Sequence, residues 1–226
     1  MLKDESFHKI ILFSRSSVNN QHPKIKEYLI DLFQLEKYEE QFQADVVFCC
    51  VGTTQKKSPD NETYRKVDFG IPVAAAKLAK QNNIPKMIVI SALGADKNSR
   101  FFYNKTKGEM EEEVLGQKLS EAYILRPSLI DGNREENRPF EFAWKQVMKA
   151  ANFLMVGPLK KYRSIKAETI AKCMHILTKI SSKSTIFDEN SQILARLRRK
   201  TPPMSYFCSF VKITNRSLIF CLFLTI

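Results

Sequence analysis

Glycine is the scarcest useful residue in this chain: there are 7 in 226 residues, none precedes Gly52, and no GxG or GxxG occurs anywhere. That excludes, from the residues present, the glycine-rich turn that lets backbone N–H groups close on a pyrophosphate at a helix N-terminus. Metal-ligand spacing is also lacking. The five cysteines (Cys49, Cys50, Cys173, Cys208 and Cys221) form no CxxC pair and the three histidines are scattered, so no metal site is expected. Cys49 and Cys50 sit in an apolar run and read as small buried hydrophobes of a reducing compartment. No secretory signal opens the chain. The apolar run 217–226 has ten residues, against about 20 for a bilayer span. These absences predict a cytoplasmic protein with no membrane span. Acidic residues are missing from residue 191 onward, where six basic ones stand, so half of the formal net charge of +12 lies in the last 36 residues. Without a recognised binding motif, this excess does not make a nucleic-acid partner the expectation.

What is present is an alternation of apolar strands and helices. Residues 8–14 (HKIILFS), 44–51 (ADVVFCCV), 85–91 (PKMIVIS) and 122–125 are continuous apolar runs of strand length. Residues 35–43, 61–82, 101–117, 139–153 (around Trp144) and 166–180 read as helices, with Pro72 kinking or splitting the second. Residues 23–29 fit no single period. Strands apolar on both faces and separated by helices predict an α/β fold, a parallel sheet covered on both sides. Residues 1–190 form one such domain. Residues 191–226 read as a basic and apolar tail outside it, or as a non-native extension of the reading frame.

In open parallel sheets, chemistry sits beyond the carboxyl ends of the strands. The 85–91 strand ends in Ser91, and twelve positions later Tyr103 opens YNKTK, which places Lys107 one helical turn on. An ammonium beside a phenol favours phenolate and predicts a Tyr103 pKa lowered from about 10. That would suit Tyr103 to acid–base work, with the Ser91 hydroxyl holding a carbonyl or alcohol oxygen. A YxxxK alone proves little: Tyr162 and Lys166 form a second copy, without an upstream strand-end serine.

Ser91, then YxxxK, then a strand ending in RPS (Arg126, Pro127, Ser128) resembles the short-chain dehydrogenase/reductase superfamily. CCVGTT at 49–54, YRKVDF at 64–69, SALGAD at 91–96, YNKTKGEME at 103–111, LRPSLI at 125–130 and REENRP at 134–139 narrow the likeness. They resemble the atypical group that contains the Tat-interacting oxidoreductase and bacterial NAD(P)-dependent epimerase/dehydratase-like proteins. The likeness covers about residues 1–180. It implies a Rossmann-type sheet and an NADP(H)-dependent oxidoreductase acting on a carbonyl or alcohol, with a small-molecule substrate. It implies Tyr103 as acid/base, Lys107 as the residue holding the nicotinamide ribose, and Ser91 on the substrate oxygen. Gly52 and Thr53 would pack on the adenosine side, Asp31 near the adenine, and Pro127 and Ser128 against the nicotinamide amide. Arg15 would stand by a 2′-phosphate, which favours NADP(H) over NAD(H). Arg134 and Arg138 would line the substrate cleft. The alternatives are an NADPH-binding regulatory or interaction protein without turnover, and a nonfunctional fragment. Neither the oligomeric state nor the choice between reductase and epimerase chemistry follows from these residues.

The family pattern opens with a strand and glycine loop that this sequence lacks; its first strand, 8–14, corresponds to the family's second. The usual loop-to-acidic-residue spacing of about 20 predicts roughly 25 absent residues, as in a truncated reading frame or a mis-called start. A sheet of order 3-2-1-4-5-6 without its first strand is expected to carry two unpaired edges at its centre.

Overall fold

The structure, a computed structural model, describes residues 1–54, 57–131, 164–181 and 184–187, together with the backbone of 217–221. The strands are β1 (Lys9–Ser14), β2 (Ile25–Leu29), β3 (Val46–Cys49), β4 (Lys86–Ile90), β5 (Glu121–Leu125), β6 (Ile130–Asp131), β7 (Ile165–Lys166), β8 (Thr185–Phe187) and β9 (Ser217–Cys221). The helices are α1 (Asn61–Arg65), α2 (Ile71–Gln81), α3 (Phe102–Gly116) and α4 (Ala167–Thr178). A tight 3-10 segment spans Leu32–Gln41, where a short helix was expected. Residues 25–29, ambiguous in sequence, pair as a strand along β1.

Seven strands form one parallel sheet in the order β2-β1-β9-β3-β4-β5-β8. Alternation along the strands sends side chains to two cores. Ile11, Phe13, Val47, Cys49, Met87 and Val89 face Leu35, Ile71, Leu78, Met110 and Val114 from the 3-10 segment, α2 and α3. Ile10, Leu12, Val46, Phe48, Ile88 and Tyr123 face Ile170, Cys173, Met174 and Leu177 of α4. Each fully buried side chain of this size contributes about 1.5–3 kcal/mol, which is why strands apolar on both faces need helices on both. Lys86 is the polar exception at the start of β4. Its buried ammonium donates to the Leu177 carbonyl in the last turn of α4 and to the Ile180 carbonyl just beyond it, and pairs with Glu121 Oε2 at 3.2 Å. Carbonyls at a helix end have no intrahelical partner, and a cation satisfies them.

The α/β sheet is the expected one, but its centre differs from expectation. The gap between β1 and β3 is taken by β9, paired in parallel on both sides: Ile10 and Val46 both lie opposite Leu218. Residues 217–221 therefore lie within the sheet, not in a tail outside the domain. The physical reason is the cost of two rows of unpaired N–H and C=O groups in a buried sheet, which the short segment SLIFC removes.

Candidate active site

Helix α3 presents the site. Its burial recurs at Thr106, Lys107, Met110, Glu111 and Val114, so Lys107 points into the protein, while Tyr103, one turn earlier, stays 44 % exposed. The helix approaches the 91–97 loop so closely that a side chain at Gly108 would overlap the backbone of Asp96 and Lys97. The Asp96 N–H donates to the Asn104 carbonyl at 3.0 Å, and Gly94 turns the loop with φ of 80°. On its other side the loop is tied to the RPS segment: Ser91 N–H donates to the Leu125 carbonyl at 2.7 Å, and Leu93 N–H to the Pro127 carbonyl at 3.0 Å. Ser91 and Pro127 thus share one end of the sheet, as the sequence spacing anticipates. Glu111 and Arg126 brace that end with a part-buried ion pair, Arg126 Nε lying 2.9 Å from Glu111 Oε1. Ser91 is 5 % exposed and its hydroxyl has no hydrogen-bond partner among the described residues. A buried hydroxyl left unsatisfied costs about 1–3 kcal/mol, a cost that a ligand oxygen would remove.

Lys107 does not reach Tyr103 as a free cation. Its Nζ lies 2.7 Å from Asp68 Oδ1, with side-chain exposures of 5 % and 1 %. The second oxygen of Asp68 accepts the Thr53 N–H at 2.7 Å. One buried carboxylate therefore joins the loop after β3 to the lysine on α3. Local sequence puts it there. Pro72 has no N–H to return to the Asp68 carbonyl four residues back, and the backbone widens over Lys66–Gly70 into a π turn, with Ile71 N–H bonding the Lys66 carbonyl. Such single π turns occur often at functional positions. The helical run expected over 61–82 is thus split as anticipated, into α1 and α2 on either side of the π turn, with Pro72 in the first turn of α2.

This pairing corrects the expectation for Tyr103. Partial burial, and then the Asp68 carboxylate, push the phenol up to about 12, where a neighbouring lysine alone would have lowered it. Tyr64 stands edge-on to Tyr103, ring centroids 6.3 Å apart and planes at 72°. Its own hydroxyl is buried without a partner among the described residues, and burial drives its pKa upward too. Asp68 and Tyr64 are residues of this candidate site that sequence reasoning did not single out. The signal was a lone acid between Val67 and Ile71, on a helix face otherwise apolar.

Beyond the carboxyl ends of β1 and β3 lies a cavity of about 450 Å³. Arg15, Asp31, Gly52 and Thr53 all line it, joined by Lys57 and Ser58. Asp31 also caps the 3-10 segment, accepting the Phe33 N–H at 3.0 Å. Thr53 and Ser58 hydroxyls are 3.1 Å apart. Ser128 is half-buried next to the buried Pro127, and Lys166, of the second YxxxK, is exposed. Arg134, Arg138, Trp144 and Tyr162 lie outside the described residues. Among the described residues, no group of three His, Cys, Asp or Glu side chains could hold a metal ion, and no helix is long and apolar enough to cross a membrane.

The residues fit a nicotinamide dinucleotide at its two ends. The cavity suits the adenosine end, and the orphaned Ser91 hydroxyl with Lys107 suits the reacting end.

Comparison with known proteins agrees with this architecture. No family model matches the chain. "Protein FMP52, mitochondrial" of Meyerozyma guilliermondii is 33 % identical over 174 residues, 64 % of this chain and 75 % of that protein. "Protein HTATIP2" of Rattus norvegicus is 32 % identical over 146 residues, 63 % of this chain and 60 % of that protein. The Candida albicans FMP52 protein is 37 % identical over 94 residues, 42 % of this chain and 41 % of that protein. The chain thus spans between two fifths and three quarters of these relatives' length. Among solved structures, the Bordetella bronchiseptica enzyme WbmG in complex with NAD superposes with a TM-score of 0.61 at 10 % identity, over 94 % of this chain and 77 % of that one. The ADP-L-glycero-D-manno-heptose-6-epimerase of Helicobacter pylori gives 0.57 at 14 %, over 97 % and 87 %. Those two likenesses concern the fold alone. The chain belongs to the FMP52 and HTATIP2 family, an atypical short-chain dehydrogenase/reductase group built on a Rossmann-type domain. The cytoplasmic expectation is overturned, because the FMP52 relatives carry the word mitochondrial in their names. It had rested on the lack of a secretory leader and on reduced cysteines, and neither property separates one reducing compartment from another.

Proposed function

We propose that this protein is an NADP(H)-dependent oxidoreductase that reduces a carbonyl group, with Tyr103 as proton donor. The observation that carries the reading is the buried Ser91 hydroxyl at the carboxyl end of β4, unpartnered among the described residues and part of the loop that is tied to the RPS segment and docks on α3. A substrate oxygen accepting from Ser91 gives that hydroxyl the partner it lacks. Burial and the Asp68 carboxylate keep the Tyr103 phenol protonated at neutral pH, the form in which it can donate a proton to a carbonyl oxygen. Lys107 and Asp68 hold each other and the 52–53 loop in place, so the donor sits on a rigid helix. When bound, a nicotinamide dinucleotide supplies the hydride. The cations Arg15 and Lys57 at the adenosine cavity support NADP(H) over NAD(H). The names of the FMP52 relatives support a mitochondrial location.

The test is a carbonyl panel with NADPH, run on the chain and on Tyr103→Phe. Loss of the proton donor lowers kcat by about a hundredfold or more with NADPH binding retained. Equal turnover in the two proteins refutes the role of Tyr103. Binding of NADPH without turnover on any carbonyl moves the chain to the cofactor-binding regulator class.

A further inference from the structure

We infer that Tyr64 is the positioning residue for Tyr103: its buried ring holds the phenol of the proton donor in one rotamer. The inference rests on the role proposed above for Tyr103 and deepens it. Lys107, one turn along α3, does not do this work, because its ammonium is engaged by Asp68 Oδ1 at 2.7 Å.

Tyr103 needs such a hold. It is the second residue of α3, a helix that begins at Phe102 without a side-chain cap, and it is 44 % exposed. Among the described residues no hydrogen bond holds its hydroxyl, and its ring contact is the edge-on one with Tyr64, centroids 6.3 Å apart. An exposed phenol without a fixed neighbour turns among its rotamers. Only the fraction in reach of the carbonyl oxygen then transfers a proton.

Tyr64 is itself fixed. It is buried, and its ring also meets that of Phe102, centroids 5.6 Å apart and planes at 67°. Rings so placed attract edge to face. The next residue, Arg65, pairs with Glu109 further along α3 and lies over the Phe69 ring at 4.2 Å. Rings and charge together therefore tie α1 to α3. The register is matched as well. Tyr64 and Asp68 are four apart on one helical run, as are Tyr103 and Lys107 on α3. Tyr64 meets the first of that pair and Asp68 the second. The Tyr64 hydroxyl, buried with no partner among the described residues, makes no bond to the donor, so the ring is what acts.

Steady-state kinetics of the full chain with NADPH and the fastest carbonyl of the panel above, run beside Tyr64→Leu and Tyr64→Phe, test this. Without the ring, Tyr64→Leu lowers kcat about threefold to tenfold, the strength of an aromatic pair. KM and NADPH affinity stay within about twofold. Tyr64→Phe returns the ring and recovers most of the loss. In the unliganded wild type, cross-relaxation between ring-labelled Tyr64 and Tyr103 reads the contact even where Tyr64→Leu does not fold. Absence of those cross-peaks overturns the inference. So does a Tyr64→Leu kcat equal to that of the wild type, or a Tyr64→Phe as slow as Tyr64→Leu, which assigns the effect to the hydroxyl. In each case turnover by the wild type leaves the proposed function standing. No turnover by the wild type on any carbonyl overturns that function, and the inference with it.

Discussion

Replacing Asp68 by Asn tests the buried ion pair at the centre of the site. Asn is nearly isosteric, and its carbonyl oxygen can still accept the Thr53 N–H, so the substitution removes charge and little else. It leaves the Lys107 ammonium, 5 % exposed, without its countercharge at 2.7 Å. Breaking a buried pair from one side costs about 3–5 kcal/mol, a large part of a domain's usual 5–15 kcal/mol. At about 2–4 °C per kcal/mol for a chain of this size, the melting temperature should fall by roughly 6–20 °C in a calorimetric scan. The double variant Asp68→Asn/Lys107→Met removes both charges and should recover most of that loss. Tyr103 gives a second readout. The Asp68 charge helps to raise its phenol to about 12, so the Asn variant should titrate lower when followed by NMR of ring-labelled tyrosine. A melting temperature within about 2 °C of the wild type, or a double variant weaker than the single one, refutes the argument that this pair is buried and mutually dependent.

Other outcomes follow from the same geometry. Gly108→Ala forces a methyl group into the Asp96 and Lys97 backbone and should cost about 1–3 kcal/mol or more in urea unfolding; a neutral result refutes the close approach. Asp4 is held below its ordinary 3.8: burial opposes its ionisation, but Lys179, Ser6 and His175 outweigh that. Its contribution is therefore present above pH 3.8 and is lost as pH falls below it, so Asp4→Asn should lower the melting temperature at neutral pH and make no difference in strong acid. Burial pushes the Cys49 thiol up to about 11, so it should resist alkylation of the native protein at neutral pH and react only after unfolding, whereas the half-buried Cys50 should react before it, as read by peptide mass mapping. Leu218→Pro removes a ladder donor from a strand paired on both sides and should abolish the cooperative transition.

The parallel sheet was legible because β1, β3, β4 and β5 are apolar on both faces, a pattern that few other elements share. The placement of Ser91 just past β4 and of Tyr103 and Lys107 one turn apart on α3 was legible through strand-end position and helical spacing. Asp68 was not, because its role depends on a π turn and on a lysine 39 positions away, and no local period encodes either. The direction of the Tyr103 shift failed for the same reason: the sequence displays the lysine beside it but not the carboxylate that engages that lysine. Residues 217–221 were weighed against the thickness of a bilayer, when the relevant length was that of a strand. An apolar run of five satisfies a sheet and not a membrane.

The position of β9 also fixes an order of events. Residues 10 and 46 meet across residue 218, so two portions of the sheet made early in synthesis cannot be joined until a segment 172 to 208 positions later has left the ribosome. Contacts of such sequence separation form late and slowly. In the interval the newborn chain presents two adhesive borders to its neighbours. Its yield in a cell should therefore depend on chaperone supply and translation speed more than its final stability would suggest.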